Sequence, residues 1–174
     1  IIILPLVLYF ILAGSFYLIF FTIICFFVSI YEWNKIVKKT ELKFLGVLFL
    51  IFSFYAFYEI SIGYLWSFVL LVCVSTDVGG YVFGKLFKGP KLTKISPNKT
   101  YSGMMGSFLF AIISSFLLIN NSNLIEGKTY EITIELFFLV LTISTTSQIG
   151  DLIVSFFKRL SKIKDTGKLI PGHG

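Results

Sequence analysis

The feature that most constrains this fold is the length of its uncharged apolar runs. Residues 1–31 contain no Asp, Glu, Lys or Arg, and one helix of that length would span about 46 Å at about 1.5 Å per residue. The hydrocarbon core of a bilayer is only about 30 Å thick. We therefore expect two helices here, 1–13 and 15–31, with a break at Gly14-Ser15.

The amino-acid composition supports a membrane protein. The 174 residues are 56% hydrophobic and 14% charged, whereas about a quarter of the residues in a soluble domain are charged. A transmembrane barrel would show segments of about ten residues with alternating polarity, but these runs are continuous. The sequence therefore predicts an all-α integral membrane protein, a single polytopic domain of about six transmembrane helices. The remaining predicted spans are 44–58, 64–76, 104–119 and 132–157.

Positive charge collects on one side of this layout. The segments 32–43, 79–103 and 158–174 hold four, five and five Lys or Arg residues, which leaves only Lys128 of the 15 for the other side. Cytoplasmic segments of membrane proteins carry the excess of Lys and Arg. A basic loop at 79–103 and a basic C-terminal tail are therefore expected to face the cytoplasm.

Two acids, Asp77 and Asp151, lie at the predicted cytoplasmic edges of apolar runs. An ionised carboxylate near hydrocarbon is costly, so such a residue usually faces a cavity or a partner. Carboxylates are hard oxygen ligands, and Mg²⁺ typically binds one or two of them together with substrate phosphate oxygens. Either acid alone could instead lie at headgroup depth and pair with a neighbouring lysine.

One face of the last predicted helix carries four polar side chains at positions i, i+4, i+7 and i+8, namely Asp151, Ser155, Lys158 and Arg159. Arginine binds phosphate with two parallel hydrogen bonds, and lysine acts as a point charge. The alternative is a helix end whose two cations reach up to anionic lipid. That alternative explains Lys158 and Arg159 but not the acid and the hydroxyl beside them.

Two further segments have the composition of a phosphate site. Gly79 and Gly80 follow Asp77 closely, and glycines let backbone N–H groups approach an anion; glycines also end helices, so this signal is weak. The segment 94–103 supplies two lysines, three hydroxyl side chains, a tyrosine and an amide. Its alternative interpretation is a solvated cytoplasmic loop. His173, the only histidine, could equally be a lone polar residue in a flexible end.

Several of these segments resemble the motifs of one enzyme family. The longest reads Ser155-x-x-Lys158-Arg159-x-x-x-x-Lys164-Asp165-x-Gly167-x-x-x-Pro171-Gly172-His173-Gly174. The others are Asp77-x-Gly79, Ser96-Pro97-x-Lys99-Thr100-x-x-Gly103 and Gln148-x-Gly150-Asp151. In this order the chain resembles the phosphatidate cytidylyltransferases, also called CDP-diacylglycerol synthases, from about residue 70 to residue 174.

The resemblance implies a membrane enzyme that transfers CMP from CTP to phosphatidic acid and releases CDP-diacylglycerol and pyrophosphate. A divalent cation, Mg²⁺ or another, is implied as cofactor. On this hypothesis Asp151 binds the metal, and Asp77 binds a second metal or positions polar substrate groups. Lys158 and Arg159 hold phosphates. The other candidate substrate-binding residues are Ser96, Lys99, Thr100, Ser155, Lys164, Asp165 and His173.

The resemblance also implies binding partners, a membrane location and a signature that continues beyond this chain. The implied partners are CTP, phosphatidic acid, membrane lipid and a second copy of the chain; no nucleic-acid partner is expected. The site is expected to face the cytoplasm from a bacterial inner membrane. In the family the signature continues past His173-Gly174 to a further Gly and a D-R-x-D element. We therefore expect that the chain lacks part of its metal site and its own N-terminus, and that this shortened form is inactive.

Two other functions stay open on the sequence. A small-solute or ion transporter could use Asp77 and Asp151 as ion sites, and it would need helices broken by Gly or Pro near the middle of the membrane. A scaffold that binds anionic lipid would depend on its lysines and not on Asp151 or Ser155.

Overall fold

The structure, a computed structural model, describes residue 9 and residues 15–62, 65–121 and 133–160. Within these ranges the regular elements are α-helices, and one isolated bridge joins Lys91 to Thr100. In chain order the helices are α1 (Ser15–Ile36), α2 (Thr40–Ile62), α3 (Leu65–Phe87), α4 (Tyr101–Asn121) and α5 (Ile134–Leu160). The all-α prediction is confirmed for the described part of the chain.

All five helices are long and apolar enough to cross a membrane. The shortest has 21 residues, and about 20 apolar residues are needed to cross the hydrocarbon core. Large apolar side chains face outward, such as Phe16, Phe44 and Phe52, which are 77%, 68% and 69% exposed. Soluble monomers rarely expose contiguous apolar patches, so the described helices are those of an integral membrane protein.

Five of the six predicted spans correspond to these helices. The sixth, 1–13, lies outside the described residues except for Tyr9. The predicted span 64–76 is too short, because α3 continues to Phe87 and Asp77 therefore lies inside a helix. The predicted connector 32–43 shrinks to residues 37–39, since α1 ends at Ile36 and α2 begins at Thr40.

The predicted basic loop at 79–103 is wrong at both ends. Residues 79–87 belong to α3 and residues 101–103 to α4, which leaves a loop of residues 88–100. Gly79 and Gly80 are therefore helical and do not form an anion-binding turn. A glycine in a helix interior costs about 1 kcal/mol relative to alanine. The close packing of α3 against α4 offsets that cost.

The chain divides into two units by its internal contacts: a first unit of Ile1–Tyr64 with Phe157–Gly174, and a second unit of Leu65–Phe156. In the first unit the rings of Phe26 and Phe54 join α1 to α2 at 5.3 Å. The indole of Trp33 lies against the backbone of Gly46, where a Cβ would overlap the ring. Trp33 also meets the ring of Phe157 edge-on at 5.0 Å.

The second unit has a small buried core that comes from three helices, and its members are Phe68, Val72, Ala111, Ile119 and Val140. Glycines bring α3 and α4 close together beside this core. A Cβ on Gly106 would lie 2.8 Å from the carbonyl oxygen of Gly79, and one on Gly103 would lie 2.8 Å from that of Gly80. Small residues of this kind let membrane helices associate, because lipid provides no hydrophobic drive between helices.

Candidate functional site

A cavity of about 310 Å³ lies in the second unit, where α3, α4, α5 and the 88–100 loop supply its walls. Five residues predicted from the sequence line it, namely Asp77, Ser96, Lys99, Thr100 and Asp151. The other lining residues are Thr76, Gly80, Tyr81, Leu92, Asn98, Gly103, Met104, Ser107 and Gln148. Both predicted acids and the predicted loop residues are thus brought together, although their chemical roles stay predictions.

Lys99 and Asp151 form an ion pair across this cavity. The ammonium nitrogen Nζ of Lys99 lies 3.1 Å from Oδ2 of Asp151, with side-chain exposures of 29% and 63%. Exposed pairs of this kind contribute at most about 1 kcal/mol to stability. Because the pair is weak, either partner can exchange it for a charged ligand at little cost.

Asp77 supplies the second carboxylate from α3. It is exposed, and it lies within electrostatic range of both Asp151 and Lys99. Two acids and one ammonium therefore face one cavity. A single lysine does not neutralise two carboxylates, so the arrangement attracts a further cation.

The backbone of the 88–100 loop holds Lys99 in place. Lys88 and Gly89 turn the chain out of α3 with φ values of 52° and 97°, and the left-handed conformation suits glycine. The Leu92 N–H then donates to the Lys99 carbonyl at 2.8 Å, and the Lys99 N–H donates to the Ser96 carbonyl at 3.1 Å. These bonds place the lysine without help from its ion pair.

Thr100 has a structural role in addition to lining the cavity. Its hydroxyl accepts a hydrogen bond from the Gly103 N–H at 3.1 Å, which makes it the N-cap of α4. The Thr100 hydroxyl also lies 3.0 Å from the Ser102 hydroxyl. Ser102 in turn donates a short hydrogen bond to the Lys88 carbonyl. The predicted substrate-binding hydroxyl is therefore already engaged in closing the loop.

A buried network of hydroxyls lies beside the cavity, and the sequence did not predict it. Thr76 donates to Ser144 at 2.9 Å, Gln148 donates to the same Ser144 oxygen at 3.4 Å, and Ser107 donates to the Thr76 carbonyl at 2.7 Å. Ser144 and Thr76 are only 0% and 1% exposed. The spacing of Ser144, Gln148 and Asp151 at i, i+4 and i+7 was a usable signal, because it places all three on one helix face.

The other predicted site residues lie outside this cavity. The predicted helix is confirmed at Ser155, Lys158 and Arg159, which all belong to α5. None of them lines the cavity, and the two cations belong to the first unit. Lys164, Asp165 and His173 lie outside the described residues. The roles of these six residues stay predictions.

The donor set of the cavity fits a cation that is shared with a substrate. Among the described residues, no group of three or more His, Cys, Asp or Glu side chains could hold a metal. Mg²⁺ nevertheless commonly binds only one or two protein carboxylates, and phosphate oxygens and water molecules supply its other ligands. Asp77 and Asp151 could hold such an ion.

Comparison with known proteins points to one family. The profile of the cytidylyltransferase family matches residues 40–174. A phosphatidate cytidylyltransferase of Rickettsia bellii is 39% identical over 113 residues, which are 63% of this chain and 49% of that protein. A phosphatidate cytidylyltransferase of Haemophilus influenzae is 37% identical over 114 residues, which are 64% of this chain and 38% of that protein. A phosphatidate cytidylyltransferase of Mycobacterium leprae is 38% identical over 107 residues, which are 61% of this chain and 32% of that protein. The chain thus spans about half or less of the length of these relatives.

Proposed function

The chain belongs to the cytidylyltransferase family, and from this membership we propose that it transfers CMP from CTP to phosphatidic acid. The products are CDP-diacylglycerol and pyrophosphate. The observation that carries the proposal is the clustering of Asp77, Asp151 and Lys99 in one cavity of a membrane protein. Its relatives bear the name phosphatidate cytidylyltransferase.

The proposed reaction asks little covalent chemistry of the protein. A phosphate oxygen of phosphatidic acid attacks the α-phosphorus of CTP, and a new P–O bond forms. The bond from the α-phosphorus to the bridging oxygen breaks, and its electron pair leaves with pyrophosphate. The nucleophile is already anionic, so no strong general base is needed. Catalysis then rests on positioning and on neutralising phosphate charge.

In the proposed reaction, different cavity residues bind the cation and contact the phosphates. Asp77 and Asp151 hold the divalent cation, Mg²⁺ in our proposal, which when bound offsets negative charge on the phosphate oxygens. Lys99 leaves Asp151 and contacts a phosphate, which the weakness of its ion pair permits. Ser96 and Thr100 line the same wall from the loop.

The residues beyond the cavity take roles by family resemblance. Lys158 and Arg159 hold phosphates, since a guanidinium and an ammonium both suit that ligand. The remaining proposed contacts to substrate are Ser155, Lys164, Asp165 and His173.

We also propose the membrane arrangement that the charges predict. The basic 88–100 loop and the basic tail face the cytoplasm of a bacterial inner membrane, the chain crosses six times, and it pairs with a second copy. The acyl chains of phosphatidic acid then stay in lipid while the head group meets CTP at the cytoplasmic surface. The transporter alternative needs helices broken by Gly or Pro. Within its described residues α3 runs unbroken through three glycines, so no observation favours that alternative.

The test follows each phosphorus of CTP separately. The full-length protein in detergent is given phosphatidic acid, Mg²⁺ and CTP labelled at either the α- or the γ-phosphorus. We expect the α-label in the extracted lipid and the γ-label in pyrophosphate. Phosphatidylcholine in place of phosphatidic acid serves as the control and gives no labelled lipid. An α-label that stays in water with phosphatidic acid present would contradict the proposal.

A further inference from the structure

The side chains of Tyr81 and Lys85 meet at the edge of the cavity. Tyr81 lines the cavity from α3 and is 68% exposed. The ammonium nitrogen Nζ of Lys85 lies 3.4 Å from the Tyr81 hydroxyl oxygen and 5.5 Å from the centre of its ring. Among the residues that the structure describes, no carboxylate lies within ion-pair distance of Lys85. The positive charge of Lys85 is therefore free to meet a ligand.

The chemistry of the two groups fixes the direction of their contact. A lysine ammonium has donor protons and no acceptor, whereas a phenol hydroxyl can both donate and accept. Lys85 is therefore the donor, and the Tyr81 oxygen accepts. Within the described part of the chain the Tyr81 hydroxyl makes no other hydrogen bond. The pair consequently presents free donor protons on both the phenol and the ammonium.

The helix directs this pair toward the carboxylates of the cavity. Asp77, Tyr81 and Lys85 follow one another at i, i+4 and i+8, so they share one face of α3. Lys85 lies about 12 Å along the helix axis from Asp77, but its ammonium reaches back one turn to Tyr81. A lysine that only anchors a helix end extends its ammonium outward to the head groups. The inward contact of Lys85 favours a role in the cavity.

The proposed reaction needs more positive charge than the cavity lining supplies. Lys99 is the lysine among the lining residues, and it is already paired with Asp151. Both proposed substrates bring phosphate groups, whose oxygens accept hydrogen bonds. A lysine binds phosphate as a point charge, and a phenol O–H adds a directed hydrogen bond. Tyr81 and Lys85 together offer both.

We propose that Tyr81 and Lys85 bind a phosphate group of one substrate, as a second phosphate contact in addition to Lys99. This inference rests on the proposed function, because it names further residues that hold the substrates of that reaction. The phosphate chemistry is common to phosphatidic acid and CTP, so the experiment separates the two sources.

The experiment measures KM for each substrate with the other one saturating, and phosphatidic acid is varied as a mole fraction in mixed detergent micelles. The full-length proteins are wild type, Tyr81→Phe, Lys85→Gln, Lys85→Arg and the control Lys94→Gln. Lys94 is exposed on the 88–100 loop and does not line the cavity. KM does not depend on the fraction of folded protein. A purely structural defect therefore lowers the apparent kcat and leaves both KM values unchanged.

We expect Lys85→Gln to raise KM for at least one substrate about tenfold, as the loss of a charged hydrogen bond predicts. Tyr81→Phe should raise the same KM about threefold, because its hydrogen bond is neutral. Lys85→Arg keeps the charge and should stay near wild type, as should Lys94→Gln. A rise in KM for phosphatidic acid identifies the lipid phosphate as the ligand, and a rise in KM for CTP identifies a nucleotide phosphate.

Unchanged KM values in Lys85→Gln and Tyr81→Phe, with CDP-diacylglycerol still formed, would overturn the role of the pair and leave the proposed function intact. An equal rise in Lys94→Gln would also overturn it, since the overall charge of this region would then explain the effect. Should Lys85→Gln be inactive, the KM values of Tyr81→Phe decide. A wild-type protein that forms no CDP-diacylglycerol overturns the proposed function and this inference with it.

Discussion

Lys99 and Asp151 stand 52 positions apart in the chain, yet their side chains meet at 3.1 Å. The contact joins the 88–100 loop to α5 and places a cation beside a carboxylate in the wall of one cavity. The backbone hydrogen bonds of the loop hold Lys99 independently of this contact. The pair is therefore better suited to ligand exchange than to holding the fold together.

The first prediction separates activity from stability at Lys99. Lys99→Gln removes a cation from the phosphate site, so we expect kcat/KM for CTP to fall about 10²-fold, as when one charge-stabilising group is lost. The pair is partly exposed, so the free energy of unfolding should change by no more than about 1 kcal/mol. Enzyme assays and thermal unfolding in detergent measure the two effects.

The matched control for Lys99 is Lys94→Gln, since Lys94 is exposed on the same loop and does not line the cavity. We expect it to keep wild-type activity. Equal losses in the two variants would mean that only the overall charge of the loop matters, and they would exclude a specific role for Lys99.

The second prediction concerns the glycines between α3 and α4. A Cβ on Gly106 would lie 2.8 Å from the backbone oxygen of Gly79, and backbone cannot move aside cheaply. Gly106→Ala should therefore destabilise the protein by about 1–3 kcal/mol, as overpacking commonly does. Thermal unfolding in detergent measures the effect.

Gly150→Ala provides the comparison for Gly106→Ala. Gly150 is also inside a helix, but a Cβ there would meet nothing within 4 Å. Alanine should stabilise that helix by up to about 1 kcal/mol. If both variants lowered the unfolding temperature equally, close packing would not explain the glycines of α3 and α4.

The third prediction concerns the divalent cation. Asp77→Asn keeps the shape of the side chain and removes one of the two carboxylate charges in the cavity. We expect the Mg²⁺ concentration for half-maximal activity to rise tenfold or more, because even groups that only support a metal ligand change affinity about 10–100-fold. An Mg²⁺ titration of activity after chelation by EDTA checks this. An unchanged midpoint would remove Asp77 from the metal site.

Much of the architecture could be predicted from the sequence, because the pattern that marks a membrane helix lies within the helix's own residues. Continuous apolar runs identify membrane helices without tertiary information, and five predicted spans match α1 to α5. The acids Asp77 and Asp151 stood out for the same reason, since ionisable residues at such runs are rarely without function. The charge pattern placed Asp77, Asp151 and the predicted basic segment 79–103 on one side of the membrane, so we could expect the two acids to lie near that segment.

The errors arose where long-range packing overrides local preference. Gly79 and Gly80 suggested an anion-binding segment or a helix end, but both pack against α4 and are helical, and α3 runs on past Asp77 to Phe87. The Thr76–Ser144 hydrogen bond joins residues 68 positions apart. No local pattern marks such a pair, so this buried contact between α3 and α5 could be found only in the folded protein.

The most direct test of the central claim compares two carboxylates of α5. Asp151 lines the cavity, whereas Glu135 is exposed in the first turn of the same helix. Each is changed to its amide in the full-length protein, and transfer of α-labelled CMP from CTP to phosphatidic acid is measured with saturating Mg²⁺.

We expect Asp151→Asn to lose at least about 10²-fold in rate, as when a group that stabilises developing charge is removed, while Glu135→Gln keeps the wild-type rate. Both variants should insert and unfold like wild type. An Asp151→Asn protein that transfers CMP at the wild-type rate would contradict the assignment of the cavity as the site of the reaction.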